Sequence, residues 1–350
     1  MTCVFSEKDG LRFQLEKRYT EKTNEFPINA GNYVRIFQQI EDYLNRNIHP
    51  EVVTGAALHG SGLLNDHGKE HVEMVIQRAG LLLGIGVEQL SGYEIFILLL
   101  AIHFHDVGNI FGRDEHEKRV FEVMEELGVL FPSETPLKKT IATVAMAHGG
   151  KINGSKDTIS SLAQEEHLQG ALIKPALLAA ILRFSDEISD DHTRAARFLL
   201  QSLPPENQIF HYYSKCLQQT GVSGNSLILK FDLPLELADG LSTKENVGDP
   251  RGYSEMFLYD EILLRLKKCL TELEYCSRYF RGMIGINSIS AEINVHKPHT
   301  LNPVFHDKIV LKLSGYPNSI EKDICSMVEK PLAAADGIAL QGLLRGDGAC

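Results

Sequence analysis

Cysteine is sparse and dispersed in this chain, with six in 350 residues, at positions 3, 216, 269, 276, 325 and 350. No two form a C-x-x-C pair, which argues against a cysteine zinc site and a disulfide framework and fits a reducing compartment. A basic surplus is missing as well. The net charge of −11 and the pI near 5.7 argue against a general nucleic-acid binder. A nucleotide substrate stays open, because local charge and bound cations can outweigh the net sign. Long apolar runs are also lacking. The longest, Ile95 to Ile102, is far too short to cross a bilayer, and MTCVFSEKDGLRFQ lacks the apolar centre of a signal peptide. No repeat or low-complexity tract stands out. These absences describe a soluble, cytoplasmic protein with no membrane partner.

What is present is ordinary globular material, 43% hydrophobic and 23% charged. The length suits one large domain with an elaboration, or two domains. Residues 1–29 read as a polar arm or loosely packed lead-in. From 30 to about 203, helical periodicity recurs over 32–48, 69–84, 92–105, 114–127, 136–148 and 175–188, with no convincing strand. Ser91 is expected to cap one helix, and Asp114 with Glu117 has capping-box spacing for another. After Pro204-Pro205 the period changes. Strands are expected at 208–216, 226–233, 288–296 and 307–314, around a long amphipathic helix over 255–283. A short helix near 318–329 and an Ala/Gly-rich tail would make up 317–350. The fold class is therefore mainly α, a helical bundle followed by a smaller α+β segment at 204–316.

The apolar run EIFILLLAI is followed by HFHDVGN, so a buried helix ends in ionisable groups that need partners. Candidates lie at other helix ends. His71 falls in a first turn, His105 and Asp106 close a helix, His116 opens one, His148 precedes a Gly-Gly stop, and Asp186 lies in a last turn. Side chains at helix ends can turn inward together. Four imidazoles and two carboxylates form a nitrogen and oxygen donor set suited to a pair of divalent ions such as Fe, Mn, Zn, Co or Mg.

The order His71…His105-Asp106…Asp186 resembles the signature of the HD-domain superfamily of metal-dependent phosphohydrolases, an all-helical fold. The further pair His116 and His148 resembles the subset holding two metals. DVGNIFGRDEHEKRVFEVMEELGVL followed by VAMAH is similar to the uridylyl-removing domain of bacterial nitrogen-sensing enzymes. NDHGKEHVEMV is similar to the opening of bacterial HD proteins with an α+β extension. The resemblance implies that His71, His105, Asp106 and Asp186 hold one metal, and that Asp106 bridges to a second held by His116 and His148. A carboxylate spans two ions where an imidazole cannot. Two ions roughly 3.5–4 Å apart acidify a shared water to a hydroxide that attacks phosphorus.

Lys151, after the His148 turn, and Arg183, one turn before Asp186, are the leading phosphate-binding candidates, with Arg113 and Arg194 behind them. Asp66 and Asp190 are candidate partners of ligand histidines, and His67 would share a helical face with His71, and reach substrate or metal, if that helix begins early. His103 faces away from His105 and reads as structural. The expected substrate is a small phosphorylated compound or nucleotide. The unpaired remainder of the long helix is compatible with a homodimer. A di-iron oxygenase and a non-catalytic nucleotide-binding signalling module remain as alternative readings of the same residues.

Overall fold

The computed structural model describes residues 10–28, 31–58, 68–112, 115–128, 135–152, 154–192, 204–246, 249, 252–300, 302–315 and 322–346. Arg113, Asp114, Arg194, Asp66 and His67 lie outside the described residues.

The organising element is helix α5, Gly92–Phe104, every residue of which is buried. A helix that is apolar all round has no solvent face and must be surrounded. Around it pack α1 (Leu11–Glu21), α2 (Tyr33–Tyr43), α4 (Lys69–Leu83), α7 (Thr135–Met146) and α8 (Pro175–Glu187). Its start is set by the expected cap. Glu94 N donates to Ser91 Oγ, and Ser91 N donates back to the Glu94 carboxylate at 2.9 Å. Glu94 is itself buried and paired with Lys174 at 2.8 Å, which pins the entry to α8 against α5. By length and composition alone, Gly92–Phe111 would suffice to cross a membrane, but it is the core of the bundle, 89% buried.

Helix α1 corrects the expectation of a loose N-terminal arm. Leu11 and Leu15 are 1% exposed, and Arg12 ties α1 to Glu41 of α2 and Glu73 of α4. Helix α3, His49–Leu58, continues from α2 and lies against the tight turn Val107–Phe111 that follows α5. The approach is close enough that a Cβ on Gly55 would sit 2.4 Å from the Ile110 carbonyl oxygen. After the turn His116–Arg119 comes α6, Val120–Glu126.

The helical half does contain strands. β1 (Glu166–Leu168) and β2 (Ala171–Ile173) form a hairpin whose turn residues Gln169 and Gly170 have φ of 55° and 85°, the positive pair a tight two-residue hairpin turn requires. Three-residue strands are too short for alternation to reveal.

The second part is α+β, as its pattern suggests, but with shifted elements. QIFHYYSKC is not a strand. It belongs to α9, Pro205–Cys216. Pro205 is preset for the first helical turn, and burial against neighbouring elements overrides the strand preference of its aromatic residues. Strands β3 (Leu217–Ser223), β4 (Ser226–Pro234), β7 (Ser288–His296) and β8 (Phe305–Lys312) form a sheet in the order β3-β4-β7-β8, with β4 and β7 parallel. The crossover between them carries the short α10 (Leu235–Asp239), a hairpin of β5 (Leu241–Glu245) and β6 (Tyr253–Phe257), and helix α11, Leu258–Ser277. The long helix therefore begins after a strand and ends earlier than periodicity suggested. In β4, Leu227, Leu229, Phe231 and Leu233 alternate inward. Helix α11 packs on β7 and also on α8, so one amphipathic helix serves both halves. At the C-terminus, residues 322–329 hold a single turn at Ile324–Ser326 instead of the expected helix. The helix is α12, Gly337–Arg345, within the Ala/Gly-rich tail, capped by Asp336.

Candidate metal centre

Five chain segments bring the six expected side chains together, and the local chemistry explains why helix ends supply them. The last carbonyls of a helix have no intrahelical donor. His105, just past α5, donates from Nδ1 to the Ile102 carbonyl at 2.6 Å, and His148, just past α7, does the same to Ala145 at 2.6 Å. A carbonyl only accepts, so each Nδ1 carries the proton and each Nε2 is left to face inward with its lone pair free for a cation.

His71, in the first turn of α4, puts Nε2 3.2 Å from His105 Nε2, 3.1 Å from Asp186 Oδ1 and 3.6 Å from Asp106 Oδ2. His105 Nε2 is 3.4 Å from Asp106 Oδ2 and 3.7 Å from Asp186 Oδ1. On the other side of the Asp106 carboxylate, Oδ1 is 3.1 Å from His116 Nε2 and 3.6 Å from His148 Nε2. Two groups of donors thus form, His71–His105–Asp106 and Asp106–His116–His148, each with its ligand atoms within 4.8 Å of one another. Asp106 belongs to both and turns a different oxygen to each.

These separations suit a cation. Metal–ligand distances of about 2.0–2.2 Å put neighbouring donors roughly 3.0–3.5 Å apart. Within the set, the Nε2 atoms of His71 and His105 face each other at 3.2 Å. The charge balance agrees. Burial opposes a charge on His105, yet Asp106 and Asp186 hold its pKa well above the usual histidine range. Burial opposes ionisation of Asp186, yet hydrogen bonds from His105 and His71 hold it well below the usual carboxylate range. The pocket of donors demands positive charge, which a proton or a metal can supply.

The backbone around the centre is tightly drawn. A Cβ on Gly108 would fall 1.9 Å from the His116 carbonyl oxygen, so this glycine lets the turn after Asp106 meet the turn that carries His116.

The other candidates are placed differently. Arg183 is buried, with Nε and Nη2 on Glu272 of α11 at 2.7 and 3.0 Å, Nη1 on the Lys156 carbonyl and Thr158 Oγ1, and its plane over Tyr275. Most of its donors are committed to protein, so the expected phosphate contact gives way to a structural bond between α8 and α11. Lys151 is exposed on the turn after His148 and forms no ion pair among the described residues. Asp190 accepts from Arg265 of α11 at 2.5 Å.

One buried chain escaped the sequence reading. His103 bridges Glu41, at 3.2 Å, and His49, at 3.3 Å. His49 is 2% exposed, and burial followed by the charges of His103 and His105 pushes its pKa down to about 3. Its only sequence signal was a lone histidine before a proline.

A helical bundle around the adjacent His105-Asp106 pair, with inward His and Asp side chains, forms a candidate metal centre. Residues 61–230, just under half of the chain, match the family model of HD-CE. The match starts ahead of α4 and runs into β4, so it includes the first strands of the α+β part. No curated protein and no solved structure matches the chain.

Proposed function

We propose that this chain is a metal-dependent phosphohydrolase that uses two divalent cations to cleave a small phosphoester or nucleotide. The observation that carries the reading is the shared carboxylate of Asp106, with Oδ2 beside His71 and His105 and Oδ1 beside His116 and His148. His71, His105, Asp106 and Asp186 would hold one cation, and Asp106, His116 and His148 the other. Bound there, the cations would acidify water and draw charge from phosphoryl oxygens. The protein's own part is positional. The Ile102 and Ala145 carbonyls fix the tautomers of His105 and His148, and Asp186, with 29% of its side chain exposed, stands on the open side of the centre. Lys151, exposed on the turn after His148, is a cation available to an incoming phosphate. A reducing, cytoplasmic setting fits the buried free thiols of Cys216, Cys269 and Cys276.

The test pairs metal analysis of the purified, unsupplemented protein with turnover on a panel of phosphoesters and nucleotides, run with and without oxygen. Phosphate release under anaerobic conditions with Mn or Fe is the expected result. An absolute oxygen requirement would move the reading to oxygenase chemistry. No cleavage across the panel by metal-loaded protein would leave a binding module.

A further inference from the structure

We propose that Glu117 is a positioning residue that holds the His116–His148 side of the centre in its metal-binding arrangement; this rests on the two-cation reading above. Glu117 is 8% exposed, and its Oε2 lies 3.4 Å from Nδ1 of His116. The other nitrogen of that ring, Nε2, is 3.1 Å from Asp106. The imidazole is therefore held between two carboxylates, one at each nitrogen. His105 and His148 differ, since their Nδ1 protons go to neutral backbone carbonyls. A carboxylate behind a ligand histidine fixes the ring and makes its outer nitrogen a better donor.

The second oxygen of Glu117 reaches the other histidine's segment. A Cβ on Gly150 would lie 1.9 Å from Glu117 Oε1, and Gly150, at φ +68°, is two residues past His148. The carboxylate is wedged between the ring of one ligand and the turn that follows the other. Among the described residues no lysine or arginine pairs with it, and its one ion-pair contact is His116. A buried carboxylate is costly without positive charge nearby. The His116 ring supplies it most fully when Nε2 is bound to a cation, so metal binding and the Glu117 contact support each other.

The experiment needs no substrate. Cobalt(II) is titrated into the metal-free full chain by calorimetry and by its visible absorption, for the wild type, His116→Ala, Glu117→Gln and the double variant. Two binding events are expected for the wild type, one of them lost in His116→Ala. Glu117→Gln keeps the side chain's volume, so a packing role would be unaffected. It should weaken the event that His116→Ala removes by about 10–100-fold and leave the other within about twofold. The double variant should match His116→Ala. Unchanged affinities in Glu117→Gln, or equal weakening of both events, would overturn the positioning role while the two-cation reading stood. A single event in the wild type, or two in His116→Ala, would instead remove the two-cation reading, and this proposal with it. Melting of the metal-free variants checks that each is folded.

Discussion

Asp106 is the one side chain in both donor groups, so its removal should cost more than that of any single histidine. Under the proposed function, Asp106→Ala is expected to abolish turnover and reduce metal content to one ion or fewer per chain, and His116→Ala to lose mainly one ion; elemental analysis and turnover check both. Protons compete for the same donors. The folded pKa of His105 is raised by Asp106 and Asp186 against burial, so its second proton is held to higher pH than in a free histidine and competes with a cation. Metal affinity should then rise by roughly tenfold per pH unit below that pKa for one displaced proton. Calorimetry in buffers of different ionisation enthalpy would show the released proton. His49 has the opposite sign. Its folded pKa is depressed to about 3, so between roughly 6.5 and 3 the unfolded chain binds a proton that the folded chain does not. Metal-free protein should lose that stability as pH falls, and His49→Gln should flatten the acid slope of a denaturation series.

At the scale of elements, the centre depends on close backbone crossings as much as on donors. Gly55→Ala would drive a methyl against the Ile110 carbonyl. It should destabilise by about 1–3 kcal/mol by forcing α3 from the turn after Asp106, measurable by denaturant titration. The pair Arg183–Glu272 joins α8 to α11 in a buried setting, with side chains 8% and 14% exposed. Arg183→Ala leaves a carboxylate without its partner and should cost about 3–5 kcal/mol. Removing both partners should cost less than the sum of the single changes. Full stability in Arg183→Ala would show that the guanidinium is held for a ligand instead.

For the whole molecule, α11 packs on both α8 and the sheet strand β7. The helical and α+β parts should therefore unfold together, as one calorimetric transition. A chain ending at 203 would uncover the α11-facing side of α8, all of whose residues from Pro175 to Ser185 are buried, and should aggregate. Cation binding at the centre should raise the melting temperature of the whole chain, and a chelator should reverse it.

What was legible in the sequence was what period and helix-end chemistry write locally. The placing of six His and Asp side chains at helix ends, the Ser91 cap, the buried helix that starts at Gly92 and the mainly-α class followed by α+β all come from side chains acting within a few residues of their own backbone. The sequence alone did not determine the state of QIFHYYSKC, where burial overrode aromatic strand preference, nor the short hairpins, whose strands hold too few residues to alternate. It also gave no hint that residues 11–21 belong to the core or that Arg183 is committed to Glu272. Those facts depend on contacts between segments tens of residues apart, and only the tertiary structure decides which distant partner a buried charge or apolar face meets. The same holds at the centre: local pattern named the donors, and packing decided that Asp106 would turn one oxygen to each group.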